Sequence, residues 1–482
     1  MKKIFIICLL IVICMSSVQT AENEDILGKI LTEAGFSRAD LGYQPKGYWN
    51  RFPLDIPYRL TSFDALYAEP LKLIDYATVM GNTVEQYLDP TYADTNANAL
   101  YYLVYNLGVD KKLGGFRSYS ANLLDAPNSP TPIITAIEDL YKMADRETIF
   151  QSFGSTSHPF VNDSVQAELD KLPDSAKIHI AKIIVNLGDA IKWRNIAFRN
   201  CDASDMQKVI AIRDLADTQN DGTKYYPEID DIASSIDYPS LHYSALKVAA
   251  AVGEAEANLK QYVKDIPDDF ELHIETPYGN IAFLSPVFKK HKLPQPKATA
   301  GTVAPIKGWY EIEATNYLLI LDFGRNIIYQ GSAGATASLA NPVSVVLDMG
   351  GNDYYGFQRD SYPQTTGVGI LGVGLVFDSD GNDEYNGTDF AQGTGLFGVG
   401  VLYDKKGNDK YKASLSAQGC GYFGIGLCLD GTGDDEYYIH GSGQGCGGVG
   451  GGIGVCASFD GKDRYTAEPF SEIFNRGDYH SE

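Results

Sequence analysis

An eight-residue pattern, D-x-x-G-N-D-x-Y, constrains this chain more than any other feature. It stands at 348–355, 378–385 and 404–411, and with Asp in place of Asn at 430–437. Worn copies flank the set: 322–329 keeps Asp322, Asn326 and Tyr329, and 458–465 keeps Asp463 and Tyr465. Successive copies begin 26, 30, 26, 26 and 28 residues apart. That period is too short for a propeller blade of about 40 residues and fits one coil of a solenoid. Apolar runs such as Val345-Val346-Leu347 and Leu375-Val376-Phe377 precede the pattern and read as short strands that stop at a Gly-Asn-Asp turn. Residues 311–466 hold 33 of the 49 glycines. Pairs such as Gly393/Gly395 and Gly398/Gly400 strip side chains from a strand face, which predicts closely approaching backbones or a thin interior. The worn end copies suit caps.

The first half has another rhythm. Ile180, Ile183, Ile184, Leu187 and Ile191, then Val209, Ile210, Ile212 and Leu215, recur at helical spacing. The expected fold is α+β and multidomain: a signal peptide at 1–21, a mainly α-helical domain at 22–265, a first strand and linker at 266–310, a Gly/Asp-rich β-solenoid of about five to six coils at 311–466, and a polar tail at 467–482. Tyr43, Tyr48, Trp49 and Phe52 read as an ordinary connection or as an aromatic binding surface. Asp217, Gln219, Asp221, Gly222 and Glu228 fall at positions 1, 3, 5, 6 and 12 of a calcium loop of EF-hand type. Gln219, Lys224 and Pro227 depart from that loop, and an Asx-rich turn suits the segment better.

Lys2 and Lys3 precede an apolar run, Ile4 to Met15, and a short stretch to Ala21, which together read as an export signal. The run falls short of the roughly 20 apolar residues a span needs, so the mature chain is expected without a transmembrane span in the periplasm, at the cell surface or outside the cell. Beyond the signal lie Cys201, Cys420, Cys428, Cys446 and Cys456. The repeat sets Cys420 beside Cys446 and Cys428 beside Cys456, so one of these pairs is expected as a disulfide with Cys201 free, stacked thiols being the alternative. The balance of 39 Lys+Arg against 62 Asp+Glu, net −23, argues against an extended phosphate-binding surface and hence against nucleic acid as a partner.

Stacked coils set equivalent residues about 4.8 Å apart. Asp348, Asp378, Asp404 and Asp430 then form one column, and Asp353, Asp383, Asp409, Asp435 and Asp463 another. Two carboxylates about 5 Å apart repel by about 3 kcal/mol at an effective dielectric near 20. Residues 311–466 carry 19 acids against 8 bases, so lysines cannot neutralise every coil. Calcium is the expected cofactor, because it accepts six to eight oxygens from carboxylates, amides and carbonyls. Asn352, Asn382, Asn408 and Asp434 complete the expected ligand set. Zinc prefers His and Cys at spacings absent here. The same residues also suit turns without metal by hydrogen-bonding backbone N–H groups, and both roles stand open at this point. Tyr329, Tyr355, Tyr385, Tyr411, Tyr437 and Tyr465 predict an aromatic ladder. Gln392, Gln418 and Gln444, with Gln364, predict an amide ladder that satisfies itself between coils.

The Gly-Asn-Asp turns resemble the calcium-binding RTX repeats of secreted bacterial proteins, with coils of about 26 residues rather than about 18, one acidic turn per coil, and Tyr where an aliphatic residue is usual. The whole second half is more similar to exported bacterial proteins that carry tandem D-x-x-G-N-D-x-Y repeats behind a helical region. That resemblance implies a solenoid and gives no activity. The seven histidines are scattered without metal-ligand spacing, and no H-E-x-x-H, G-x-S-x-G or P-loop pattern occurs. The expected function is a non-catalytic binding or structural module that meets polysaccharide or another cell-surface protein. The alternative is a carbohydrate-active lyase or hydrolase on a β-helix scaffold.

Overall fold

The computed structural model describes residues 25–40, most of 60–108, 122–145, 163–215, 227–286, 309–356 except 337, 365–448 and 451–467. The expected signal peptide, the aromatic segment around Tyr48, the linker 287–308 and the tail after 467 lie outside the described residues, as do residues 217–226 of the EF-like loop. Two compact units are present, residues 1–55 with 61–78, and residues 56–60 with 79–482. In the first, helix α1 (Ile26–Glu33) is capped by Asp25, whose Oδ1 accepts from the Gly28 N–H at 2.8 Å and from Arg38 at 2.6 Å.

The second unit begins with helices and continues as a β-solenoid of about five turns. Its main helices are α2 (Ala99–Gly108), α3 (Pro132–Ala144), α4 (Asp174–Ala197), α5 (Ala203–Leu215), α6 (Pro227–Ser235) and α7 (Tyr238–Leu259). Pro227, which the sequence pattern sets against a helix, instead opens α6, where the missing N–H removes no helical bond. α4 buries Ile180, Ile183, Ile184, Leu187 and Ile191, the residues whose spacing predicted it. α7 starts at an Asp237 cap and is buried along most of its length, including the small-residue run Ala249, Ala250, Ala251. Small side chains let its backbone approach its neighbours: a Cβ on Gly253 would stand 2.1 Å from the Ala97 carbonyl oxygen.

The solenoid coils build three sheets, the third of which takes a strand from only three coils. The eight-stranded sheet contains β1 (Glu271–Ile274), β2 (Asn280–Leu284), β4 (Tyr317–Asp322), β6 (Val343–Asp348), β9 (Val373–Asp378), β12 (Val399–Asp404), β15 (Ile425–Thr432) and β17 (Ile453–Asp460), in that order. The seven-stranded sheet contains β3 (Tyr310–Glu313), β5 (Ile327–Gln330), β7 (Tyr354–Tyr355), β10 (Glu384–Asn386), β13 (Lys410–Leu415), β16 (Glu436–Gly441) and β18 (Arg464–Ala467). β8 (Gly369–Ile370), β11 (Gly395–Leu396) and β14 (Gly421–Tyr422) make the third. All pairs within the coils are parallel, and only β1 runs antiparallel to β2.

Strand alternation assigns the two faces of the large sheet. Outward Val345, Leu375, Val401 and Leu427 share one apolar core with α2, α3, α4 and α7. Inward Val346, Val376, Leu402 and Cys428 pack with the tyrosines inside the coil. A second core joins α5, α6 and the adjoining ends of α4 and α7 to Val368, Ile370, Leu396, Phe397 and Phe423 around the short sheet. Leu371, Phe397 and Phe423 hold φ near +50° at the same corner of successive coils. That conformation costs of order 1 kcal/mol or more per residue, and the packing of these large side chains, with Phe397 and Phe423 rings stacked at 4.4 Å, offsets it. Helices therefore cover two sheet faces, while the seven-stranded face carries exposed Lys410, Lys412, Glu436 and Arg464.

The interior is thin, as the glycine pairs predicted. A Cβ on Gly400 would stand 2.1 Å from the Thr394 carbonyl oxygen, and Gly374 and Gly426 meet Val368 and Cys420 in the same way. The expected disulfide is absent: none of the five described cysteines is in a disulfide. Cys428 and Cys456 are register partners, but in-register parallel side chains keep their Cβ atoms about one strand spacing apart, wider than the usual 3.5–4.5 Å bridge. The Cys420 thiol instead donates to the carbonyls of Ala417 and Ser442 at 3.1 and 3.3 Å, as the Thr394 hydroxyl does to Ala391 and Ser416 one coil earlier. Gly400→Val must push the two backbones apart, and we expect a loss of more than about 3 kcal/mol in the urea-unfolding free energy, whereas Val401→Ile on the helix-facing side is expected to change it by less than half as much.

Candidate metal centre

The first Asp of the repeat ends the long strand on its inward face. Strand register therefore lines up Asp322, Asp348, Asp378, Asp404 and Asp430 along the solenoid axis, with Ser458 last. All five carboxyls are fully buried. The repeat tyrosines enter the same space from the seven-stranded sheet. Their rings stack at 4.4 to 4.9 Å from Tyr329 through Tyr465, which makes the expected aromatic ladder. Each hydroxyl reaches the next coil's Asp: Tyr329 donates to Asp348 at 2.6 Å, Tyr355 to Asp378 at 2.7 Å, Tyr385 to Asp404 at 2.7 Å and Tyr411 to Asp430 at 2.6 Å. Tyr437 finds Ser458 in place of an Asp, and its hydroxyl and that of Ser458 are both left without a partner.

The other carboxylate oxygen of the first Asp accepts from the turn two residues on, as Asp348 does from Gly350 and Asp404 from Lys406, both at 3.1 Å. At Asp430 the strand runs on to Thr432, and Oδ1 has no donor.

The second Asp of the repeat is buried too. Its Oδ1 accepts a backbone N–H from the preceding coil: Asp353 from Ile327, Asp383 from Asp353, Asp409 from Asp383 and Asp435 from Asp409. Asp463 closes this series half-buried at the last coil. The remaining oxygen, Oδ2 of Asp353, Asp383, Asp409 and Asp435, is buried with no hydrogen-bond donor. These oxygens face the first column. Three sets result, Asp348/Asp353/Asp378, Asp378/Asp383/Asp404 and Asp404/Asp409/Asp430, each with one ligand atom per residue and all three atoms within 4.8 Å of one another. Asp435 and Asp463 belong to none of the sets.

Asn352, Asn382, Asn408 and Asp434 are exposed, on the outside of the same turns. The side-chain oxygen of each accepts the backbone N–H one coil later, Asn352 from Asn382, Asn382 from Asn408, Asn408 from Asp434 and Asp434 from Lys462, at 2.8 to 2.9 Å. The Asn and second-Asp ladders thus stitch each turn in opposite directions along the axis. The glutamines also differ from expectation. Gln392 and Gln418 do not pair with each other; their amides donate to carbonyls of two successive coils, Tyr385 with Lys412 and Tyr411 with Tyr438, at 2.8 to 3.1 Å. Gly393 donates to the Thr366 carbonyl as Gly419 does to that of Gln392, so Thr366 occupies this column one coil earlier. Gln364 lies outside the described residues.

Burial of so many acids dictates their protonation. Desolvation, reinforced by the neighbouring carboxyls, pushes Asp348, Asp378, Asp404 and Asp430 well above the ordinary carboxylate range. Burial first, then neighbouring acids, raise Asp383 to about 10; burial likewise carries Asp409 to about 8 and Asp435 to about 6. Among the described residues, the cation at the column is Arg325, at its N-terminal end, whose backbone N–H binds Asp322 at 3.1 Å and whose guanidinium binds Ser285 and Glu271. Burial works to raise Glu271, but hydrogen bonds from His273 and Tyr310 and the Arg325 charge hold it at about 2. Neither Arg325 nor Glu271 falls inside the conserved part of the repeat pattern, and only the coil geometry brings them to the acids.

Comparison with known proteins adds nothing to this geometry: no family model, curated protein or solved structure matches the chain. Tyr385→Phe removes a donor from a buried carboxyl and is expected to cost about 1–3 kcal/mol in urea unfolding, whereas Tyr437→Phe, which removes a hydroxyl with no partner, should be neutral or slightly stabilising. A second prediction concerns pH. Groups whose folded pKa is raised stabilise the fold fully below their unfolded value near 3.9 and lose that contribution as pH climbs through the folded value. In chelator, the melting temperature should therefore fall between pH 4.5 and 8, the interval in which Asp435 and Asp409 ionise; a rise over that interval would mean that the folded column holds carboxylates.

Proposed function

We propose that this protein is an exported, non-catalytic structural or binding module whose solenoid is stabilised by calcium. The observation that carries this reading is the set of three carboxyl clusters, each containing a buried Asp oxygen with no donor to satisfy it. Each cluster offers three carboxylate oxygens within 4.8 Å of one another, an all-oxygen set that suits calcium with its flexible geometry, while magnesium demands near-ideal octahedral geometry and zinc prefers nitrogen and sulfur. Asp348, Asp353, Asp378, Asp383, Asp404, Asp409 and Asp430 are the ligands in this reading, and the asparagines hold the turns. Asp435 and Asp463 would extend the array only with a ligand that Ser458 does not supply.

Sealed, repeated acids favour this role over a carbohydrate-active enzyme, since a glycan has no access to carboxyls that are at most 1% exposed. A catalytic pair also needs two acids in unlike environments, and here one environment recurs from coil to coil. Export rests on the Lys2-Lys3 start and the apolar run to Met15, and no described helix is long and apolar enough to cross a membrane. A polysaccharide or cell-surface protein would meet the seven-stranded face, which the described helices leave uncovered. Full-length chain refolded with calcium should melt well above the same chain refolded in chelator, with magnesium giving a small effect, because an ion that binds only the folded state raises its stability by linkage. Equal melting temperatures under all three conditions would refute the calcium site.

A further inference from the structure

The position of the clusters says how such ions would arrive and leave. Calcium sites on loops exchange with solvent because part of the coordination sphere faces water. Here no ligand does: Asp348, Asp378, Asp404 and Asp430 are fully buried, and Asp353, Asp383 and Asp409 are exposed by 1% or less. The space they share is closed on one side by stacked tyrosine rings. The long strands close another side, with α4 and α7 packed on their outer face. The turn side is stitched by the ladder bonds of the second Asp and the Asn. At the N-terminal end stands Arg325, itself 3% exposed.

Charge sets the number of ions. The three clusters contain seven different aspartates and share Asp378 and Asp404 between neighbours. Three divalent ions would bring six positive charges against seven carboxylates, close to neutral in a space that cannot hold net charge cheaply. Monovalent ions at the same positions would leave four charges uncompensated. Beyond Asp430 the column ends in Ser458, and before Asp348 one oxygen of Asp322 is already taken by the Arg325 backbone N–H.

Resting on the calcium reading, we infer that three calcium ions per chain are built into the coil stack as it forms and are then occluded, leaving only when the solenoid opens. Calcium is in that case a component of folding. The folded chain neither samples nor responds to the calcium around it.

The test uses the full chain, unfolded in guanidinium and refolded in calcium chloride, then desalted and held in excess EGTA. Metal content should stay at about three per chain for hours, and added denaturant should release the ions at the rate of unfolding followed by circular dichroism. Asp383→Asn should lower the retained calcium from three to two, with Asp409→Asn as the alternative where that variant fails to fold, and Asp463→Asn, outside the clusters, should leave three. Rapid loss of calcium to EGTA from a chain whose circular dichroism is unchanged would overturn occlusion while leaving calcium binding in place. Absence of metal after refolding in calcium, with the same melting temperature as the chain refolded in EGTA, would overturn the calcium reading itself and leave protons as what holds the column together.

Discussion

Placing two carboxyl groups per coil inside a dry column is the constraint to which the rest of this structure answers. An unpaired buried carboxylate is costly enough that a protein normally neutralises it or supplies donors. This chain supplies donors in a fixed set repeated along the axis: a tyrosine hydroxyl and a turn N–H for the first Asp, and a backbone N–H from the preceding coil for the second. The tyrosines thus do more than stack. The rings fill the interior and the hydroxyls of Tyr329, Tyr355, Tyr385 and Tyr411 cross to the next coil, so the ladder ties coil to coil through polar contacts as well as through its rings. The set is incomplete by one oxygen in most coils and by two where Asp430 also lacks its turn donor, and that shortfall is what a proton or a cation must meet.

The glycines answer a different requirement of the same interior. The acid and tyrosine end of each coil is filled, whereas at the other end the short sheet lies against the long one with no room for a side chain. The cross-section tapers as a result. At the narrow corner the chain reverses through residues with positive φ, and the strain is offset by seating Leu371, Phe397 and Phe423 in a core shared with α5 and α6. The helices serve as a wall for the solenoid. Without them, Val345, Leu375, Val401 and Leu427 would face water along the length of the large sheet.

Legibility in the sequence followed periodicity. Residues that recur at the coil period, namely Asp348, Asp353, Tyr355 and their counterparts, could be assigned to columns from spacing alone, because an in-register parallel stack preserves any column. Gly400 and Gly374 could be read as points of close approach, for a missing side chain has few other uses inside a strand. What periodicity does not carry is direction. The same spacing leaves Asp348 and Asn352 equally suited to be ligands, yet the strand sends Asp348 inward and the turn sends Asn352 out. Nor does it carry alignment across an insertion: the 30-residue coil moves the glutamine position to Thr366, two residues from Gln364. Residues that occur once, such as Arg325, Glu271 and the Arg194 guanidinium that binds the Leu371 carbonyl at 2.7 Å, had no periodic signal at all.

Local pattern and composition were enough to specify the coil, its period, the identity of its stacked columns and the excess of acid within them. That the acids lie inside, that the tyrosine hydroxyls face them, that the asparagines are spent on backbone bonds outside, and that helices close two of the three sheet faces emerges from the packed coils alone. Burial is a property of the assembled coil: a strand residue turns inward or outward with its register, and whether inward means dry depends on rings, turns and helices far away in the chain.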